Sequence, residues 1–448
     1  MGDLATATST YVDAFGRLRS RLAGNAVPWI QQARETALSR FAEQGFPTTR
    51  DEEWKYTNVT PIQRRVFTPA EHQPDTQVTA AQLESFVLAD QRCHRMVFID
   101  GHFARDLSAL STLPAGLTVS SLAAVFNRDA AVLRPYLGRY ALTDTHGFAA
   151  LNTAFLVDGA YVRVAQNISV ADPIHFLFVS TGKGDSVLTQ PRNLIVTESG
   201  SRVTVIESFV SLGQACYFTN AITEVAVADN ATVEHYKLGL ESPKAFHIGG
   251  LYVRQDANSM FTSHNITLGG VLVRNTIHGT FEAEGGTCIL NGLYAVSGRQ
   301  HVDNHTLLDH AQPRCTSREL YKGVLDGRAR AVFSGRIVVR QDAQHTDAKQ
   351  DNKNLLLSRD AEVDTKPQLE IYADDVKCAH GATVGQLDRD AIYYLRSRGV
   401  DEEMARSVLT YAFANDILDR IEIPSARSYV ASMLAERLLH GRRIEGLK

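Results

Sequence analysis

The stretch Val376-Lys377-Cys378-Ala379-His380-Gly381-Ala382-Thr383 sets a thiol and an imidazole two residues apart. In an extended strand, residues at i and i+2 share a face, so Cys378 and His380 are expected side by side. A cysteine sulfur and a histidine nitrogen together suit borderline and soft metals such as iron or zinc. Those ions ordinarily take about four ligands, and this pair supplies two. Either the pair is incidental or another chain completes the site.

The remaining candidate groups point less clearly to chemistry. His301, His305 and His310 precede Cys315, and His345 follows it. His301 and His305 share a face only if one strand runs unbroken between them, and structural or surface roles are expected for all four histidines. The series Asp342, Asp347 and Asp351 mimics the carboxylates of a β-helix polysaccharide lyase or hydrolase, but a solvated strand face accounts for it too. No GxxxxGK[ST], HExxH, GxSxG or dinucleotide-binding glycine pattern occurs. The nearest approach to a phosphate loop, Thr181-Gly182-Lys183-Gly184-Asp185, lacks the earlier glycine and the magnesium-binding hydroxyl. The chain itself is therefore not expected to hydrolyse ATP.

Five cysteines, Cys93, Cys216, Cys288, Cys315 and Cys378, form no CxxC pair and are odd in number. This excludes a disulfide framework and any zinc or iron–sulfur motif contained in one chain. Reduced thiols fit a cytoplasmic setting. The N-terminus lacks a basic segment followed by an apolar one, and no apolar run approaches eighteen residues, so neither a signal peptide nor a membrane span is expected. A net charge of -4 argues against a dedicated nucleic-acid binder.

With 448 residues, 44% hydrophobic and 21% charged, the chain is long enough for two or three globular domains. Residues 1–150 read as an N-terminal helical and mixed domain, with apolar positions at helical spacing through Tyr11, Phe15, Leu18 and Leu22. A second helix from Pro28 is expected to stop near Gly45. Residues 151–385 are strand after strand, rich in Val, Ile, Thr and Phe. Ile195, Val225, Val253 and Phe281 recur at steps of 30, 28 and 28, and Val203, Val233, Phe261 and Ile289 follow each by eight. Gly200, Asn230, Asn258 and Gly286 lie between the two columns, and Val324 with Val332 and Ile371 with Ala379 extend the frame.

A strand–turn–strand unit repeated in this way makes a β-helix, because no coil buries its apolar row alone. A large β-sandwich is the alternative, and the regular columns favour the solenoid. In this frame Ala379 falls in the inward column, which turns Cys378 and His380 outward, with Cys288 at the Cys378 position of an earlier coil. Residues 386–448 return to helix. Arg389 to Arg398 is expected to end at Gly399, Asp401 to cap the next helix, and Pro424 to open a last one leading to His440, Arg442 and Arg443. These helices are expected to dock on the solenoid end or to present a face to another protein.

Several motifs carry a resemblance. Tyr321-Lys322-Gly323 through Phe333-Ser334-Gly335-Arg336-Ile337-Val338-Val339 resembles the core of the SufB/SufD family. So do Asp351-Asn352-Lys353-Asn354-Leu355-Leu356-Leu357-Ser358, the run from Pro367 to Cys378, Tyr394-Leu395-Arg396-Ser397-Arg398-Gly399, and Glu53-Trp54-Lys55-Tyr56-Thr57. The resemblance covers nearly the whole chain. Cys378-Ala379-His380-Gly381-Ala382 looks like the SufD branch, because SufB has a His-Glu pair here and this chain has Gly381 after His380.

The resemblance implies a right-handed parallel β-helix flanked by helical domains, and a non-ATPase subunit of an iron–sulfur cluster scaffold. It implies pairing with a SufB-like subunit through the β-helices and docking of a SufC ATPase on the C-terminal helices. A cysteine desulfurase and its sulfur carrier would act indirectly, through SufB. It further implies a transient cluster shared at the SufB–SufD interface, with His380 matching the ligand histidine and Cys378 the neighbouring interface cysteine. Reduced flavin is associated with such complexes, although no flavin fingerprint occurs in this chain. Pairing of the isolated chain with a second copy is left open. A purely structural partner of an ABC-type ATPase, with no metal role, is the competing expectation.

Overall fold

The corners of the core are built from residues that accept left-handed backbone. Gly200, Asn230, Asn258, Gly285, Arg314 and His345 have φ between 53° and 77° and occupy one corner of successive coils. Glycine and asparagine enter this region at low cost. Each corner N–H donates to a carbonyl one coil further on, as from Gly200 to Asp229 and from Asn230 to Ala257. The computed structural model describes residues 2–71, 78–88, 92–110, 112–143, 146–182 and 186–438. Among them, strands alternate between two sheets of 11 and 10 strands, and within the repeats every pairing is parallel and in register. The result is a mainly β protein with a solenoid of about eight turns.

The interior is one continuous cluster from Met96 and Phe98 to Val339, Ala348 and the half-buried Cys378. A close fit within it accounts for the Tyr321-Lys322-Gly323 motif. A side chain at Gly292 would lie 2.1 Å from the ring of Tyr321, and one at Gly323 would lie 2.1 Å from the ring of Tyr294. Each tyrosine therefore fills the space left by a glycine in the neighbouring coil.

The expected columns are partly corrected. Ile195, Val225 and Val253 do stack, as do Val203, Val233 and Phe261, but the rung after Val253 is Gly279, and Phe281 stacks on Gln255 instead. The next rung after Phe261, however, is Cys288 rather than Ile289. The corner residue lies three positions beyond Gln255 at Asn258 but four beyond Phe281 at Gly285. One extra residue in a turn shifts the count by one and exchanges the two faces of the strand. From there the inward column runs Cys288, Ser317, Ala348 and Cys378, while Ile289, Arg318, Lys349 and Ala379 point outward.

Helices cover the outside. Gly2–Leu18, Pro28–Gln44 and Gly147–Phe155 enclose an aromatic cluster with Phe41, Phe46, Trp54, Phe218 and Phe246, so this layer packs on the outer face of the early coils. Gly45 ends the second helix with φ 64°. Two strands from the N-terminal region, His94–Ile99 and Leu117–Ser121, extend the two sheets. A fully buried ion pair, Arg192 to Glu224 at 2.6 Å, fixes the layer, because Glu224 accepts from the backbone of Gly138, Tyr140 and Ala141. Burying two charges is tolerable when every polar atom finds a partner.

The C-terminal helices are Arg389–Ser397, Glu402–Leu418 and Pro424–Leu438. Asp401 caps the second through the Met404 N–H, and Gly399 turns the chain at φ 91°. The last two pack on the side of the solenoid, on an outer face formed by Tyr236, Leu238, Ile266, Leu293 and Val324, and not on its end. Lys322 ties down Glu402–Leu418, with Nζ 2.8 Å from Asp416 and 3.0 Å from the Phe413 carbonyl. The basic run His440, Arg442 and Arg443 lies outside the described residues.

The Glu53-Trp54-Lys55-Tyr56-Thr57 motif clasps the later coils. The strand His301–His310 is unbroken, so His301 and His305 do share an outward face. Thr57 bonds both His301 and Asp303, and Glu53 lies 3.2 Å from His305. Arg274 stacks 3.8 Å above the Trp54 ring and reaches Asp303 at 2.6 Å. Lys366, on an outermost strand, pairs with Glu52 at 2.6 Å. Burial opposes the positive charge on His305, but Asp303 at 3.0 Å prevails and raises its pKa above the usual histidine value. His305 in turn holds the Glu53 carboxyl down to about 2.

A raised folded-state pKa gives stability that is complete below the unfolded value of about 6.5 and fades as pH climbs through the folded value. His305→Gln is therefore expected to cost about 1–3 kcal/mol near pH 6. The gap from the parent should close progressively at alkaline pH, as checked by urea unfolding across that range.

Candidate functional site at the open end of the solenoid

Stacking in register ends at the strands Glu362–Ile371 and Lys377–Gly385, which are the outermost members of their two sheets. Pro367 sits where an edge strand tolerates a missing N–H. Cys378 and His380 lie on the last strand, on the same face, as their spacing requires. That face is the inward one, which corrects the expected outward orientation. Cys378 stacks on Ala348 and His380 on Gln350. In any earlier coil such positions are sealed, as for Cys288 at 1% exposure. Here no coil follows among the described residues, so His380 is exposed and Cys378 half-buried.

The floor beneath the pair is polar. Gln350 is fully buried and donates from Nε2 to Glu319 Oε2 at 2.5 Å. Burial pushes the Glu319 carboxyl up to about 7. A side chain at Gly335 would lie 2.1 Å from Gln350 Nε2, so the amide spans the interior from one sheet to the other. Neither Glu319 nor Gln350 stands out in the sequence. The signal was the coil period, which sets Gln350 one rung and Glu319 two rungs behind His380.

Partial burial raises the Cys378 thiol pKa above its ordinary value, and nearby Asp347 adds to the effect. The resting group is therefore a thiol, which a metal or a partner's cation would have to deprotonate. Among the described residues no group of three or more His, Cys, Asp or Glu is arranged to hold a metal ion. The rim of this end exposes Ile371, Tyr372, Val384, Tyr393 and Tyr394.

The other candidates resolve into structural roles. His310 is buried against Ser317 at 2.9 Å, and His345 pairs with Asp375 at 2.9 Å. Asp347 pairs with Arg318 and Asp351 with Lys349, which removes two of the three carboxylates from a catalytic cluster. Cys315 is buried at a corner, and Cys216 is buried as well. No helix among the described residues is long and apolar enough to cross a membrane.

Fold and site together define a solenoid protein that ends in two edge strands, each paired on one side only, with a thiol and an imidazole on the last rung. The family described as "SufBD protein N-terminal region" matches residues 5–176, and "SUF system FeS cluster assembly, SufBD core domain" matches residues 178–413. An iron–sulfur cluster assembly SufBD family protein of Synechocystis sp. is 34% identical over 417 residues, covering 91% of this chain and 90% of that protein. The iron–sulfur cluster assembly protein SufD of Escherichia coli (strain K12) is 34% identical over 413 residues, covering 91% and 92%. A chloroplastic protein of Arabidopsis thaliana, ABCI7, is 29% identical over 418 residues, covering 90% and 86%. The chain belongs to the SufB/SufD family, on its SufD side, and takes part in iron–sulfur cluster assembly.

Exposure orders the thiols. Cys216, Cys288 and Cys315 are buried, whereas Cys93 and Cys378 are half-buried. In a Cys93→Ser chain, maleimide labelling followed by peptide mass spectrometry should modify Cys378 first. Labelling should accelerate about tenfold per pH unit until the raised thiol pKa is passed. Equal labelling of Cys288 would contradict the inward stacking.

Proposed function

We propose that this chain is a non-ATPase subunit of a Suf-type scaffold, and that its open solenoid end docks on a SufB-like subunit. The observation that carries this is the exposed inward face of the last strand, where His380 and Cys378 sit on edge strands ringed by apolar side chains. Unpaired strand edges are templates for another chain. A second solenoid end set against this one would supply both the missing strand partners and the missing metal ligands. His380 is then a ligand to a nascent iron–sulfur cluster that is the cargo of the complex. Neutral imidazole is a competent and exchangeable iron ligand. Cys378 stands beside it as a second donor once deprotonated.

The C-terminal helices dock a SufC-type ATPase. The first of them, Arg389–Ser397, follows the Cys378 strand after only a short link and presents Tyr393 and Tyr394 to solvent. Approach of two ATPase subunits on ATP binding would pull on this helix and pass the displacement to the last strand, reshaping the site around His380. Sulfur reaches the cluster through the SufB-like partner from a cysteine desulfurase and its carrier. The assembly works in the cytoplasm.

The test is co-expression of the chain with SufB-like and SufC-like partners, purification of the complex, and anaerobic reconstitution with iron and sulfide. The His380→Ala chain should form the complex normally. Its cluster content should fall by about tenfold or more, read from the visible absorption of the cluster. Normal cluster content in that variant would favour a purely structural partner of the ATPase. Failure of the parent chain to bind either partner would overturn the scaffold role.

A further inference from the structure

His380 stands on a floor made of one side chain. Gln350 lies directly behind it in the in-register column, one strand spacing away, and Glu319 lies behind Gln350. Gln350 is fully buried, yet only its amide nitrogen is engaged, on Glu319. Its Oε1 has no hydrogen-bond partner among the described residues. Glycine at position 335 leaves the room that lets the amide cross the interior at this level. In-register neighbours on one face are about 4.8 Å apart, within reach of an imidazole turning about its own side-chain bonds. His380, being exposed, is free to make that turn.

We propose that Gln350, held by Glu319, is a positioning residue for His380: its amide oxygen receives one imidazole N–H and leaves the other ring nitrogen bare for iron. This rests on the ligand role proposed for His380. A histidine that binds metal usually donates its second N–H to a fixed acceptor, which sets the tautomer and the ring plane. Here the acceptor is an amide anchored from behind by Glu319, so the carboxylate acts on the imidazole through an intervening side chain. The arrangement also accounts for a buried amide whose oxygen is otherwise unsatisfied.

The tautomer can be read without any cluster. In the full chain labelled with 15N-histidine and held at pH 8.5, the His380 signals are assigned by their loss in His380→Ala. The parent should favour one tautomer by about threefold to tenfold more than Gln350→Met, the ratio that one ordinary hydrogen bond confers. Glu319→Gln, which keeps the volume, should give an intermediate ratio and decides the matter if Gln350→Met does not fold. A His380 tautomer ratio equal in the parent and in the folded variants overturns the proposal. In the reconstituted complex, Gln350→Met should lower cluster retention by about tenfold or more while partner binding persists. If the ratio moves but His380→Ala assembles clusters normally, the hydrogen bond stands and the ligand role falls.

Discussion

A parallel solenoid satisfies each strand with the next one, so it has no intrinsic way to stop. The last coil, built from Glu362–Ile371 and Lys377–Gly385, keeps inward-facing side chains but has no further strand stacked above them among the described residues. That single constraint accounts for the site. The same column position is a sealed thiol at Cys288 and a half-open one at Cys378. No special loop or strained backbone exposes His380. It is a core position at which the core ends. A free end of this kind is an aggregation hazard unless another surface covers it, and the exposed tyrosines of the rim make this end a surface to be covered.

The two helical layers brace the same end from different sides. The Glu52–Thr57 segment reaches the outermost strand through Glu52 and Lys366, and the preceding coils through Trp54, Arg274, Asp303 and His305. The C-terminal layer grips the opposite sheet through the ion pair of Asp416 with Lys322, whose side chain is almost wholly buried. Opposed clamps on two sheets limit how far the last coil can splay. The short link between Gly385 and Arg389 remains the most direct mechanical route from the helices to the strand carrying Cys378 and His380.

Much of this is legible in the sequence itself. The coil period, the helices at Pro28, Asp401 and Pro424, and the pairing of Cys378 with His380 on one face all follow from spacing and local propensity. The face itself did not. Counting eight residues from Phe281 to Ile289 assumes that Phe281 follows Val253 and that turns have constant length, whereas Phe281 stacks on Gln255 and the corner at Gly285 holds one residue more than the corner at Asn258. Because side chains alternate, one uncounted residue inverts every later assignment. His380 is exposed and Cys378 half-buried through the end of the solenoid and not, as the outward reading requires, through its side.

The polar floor shows why a site of this type resists sequence reading. Gln350 and Glu319 lie in a strand pattern that marks them as inward, and inward polar residues ordinarily count against a strand assignment. Their partners are 31 residues apart in the chain, and only the coil stacking brings them together. Glu319 is tolerable inside because burial raises its carboxyl pKa to about 7, so it is substantially uncharged at neutral pH, and because Gln350 donates to it. Deeper in the solenoid the same column continues through Leu290 to Ser263 and His235, which are polar and buried too. The last three rungs, Glu319, Gln350 and His380, are polar without interruption, and of these His380 alone is exposed, because the stacking ends above it.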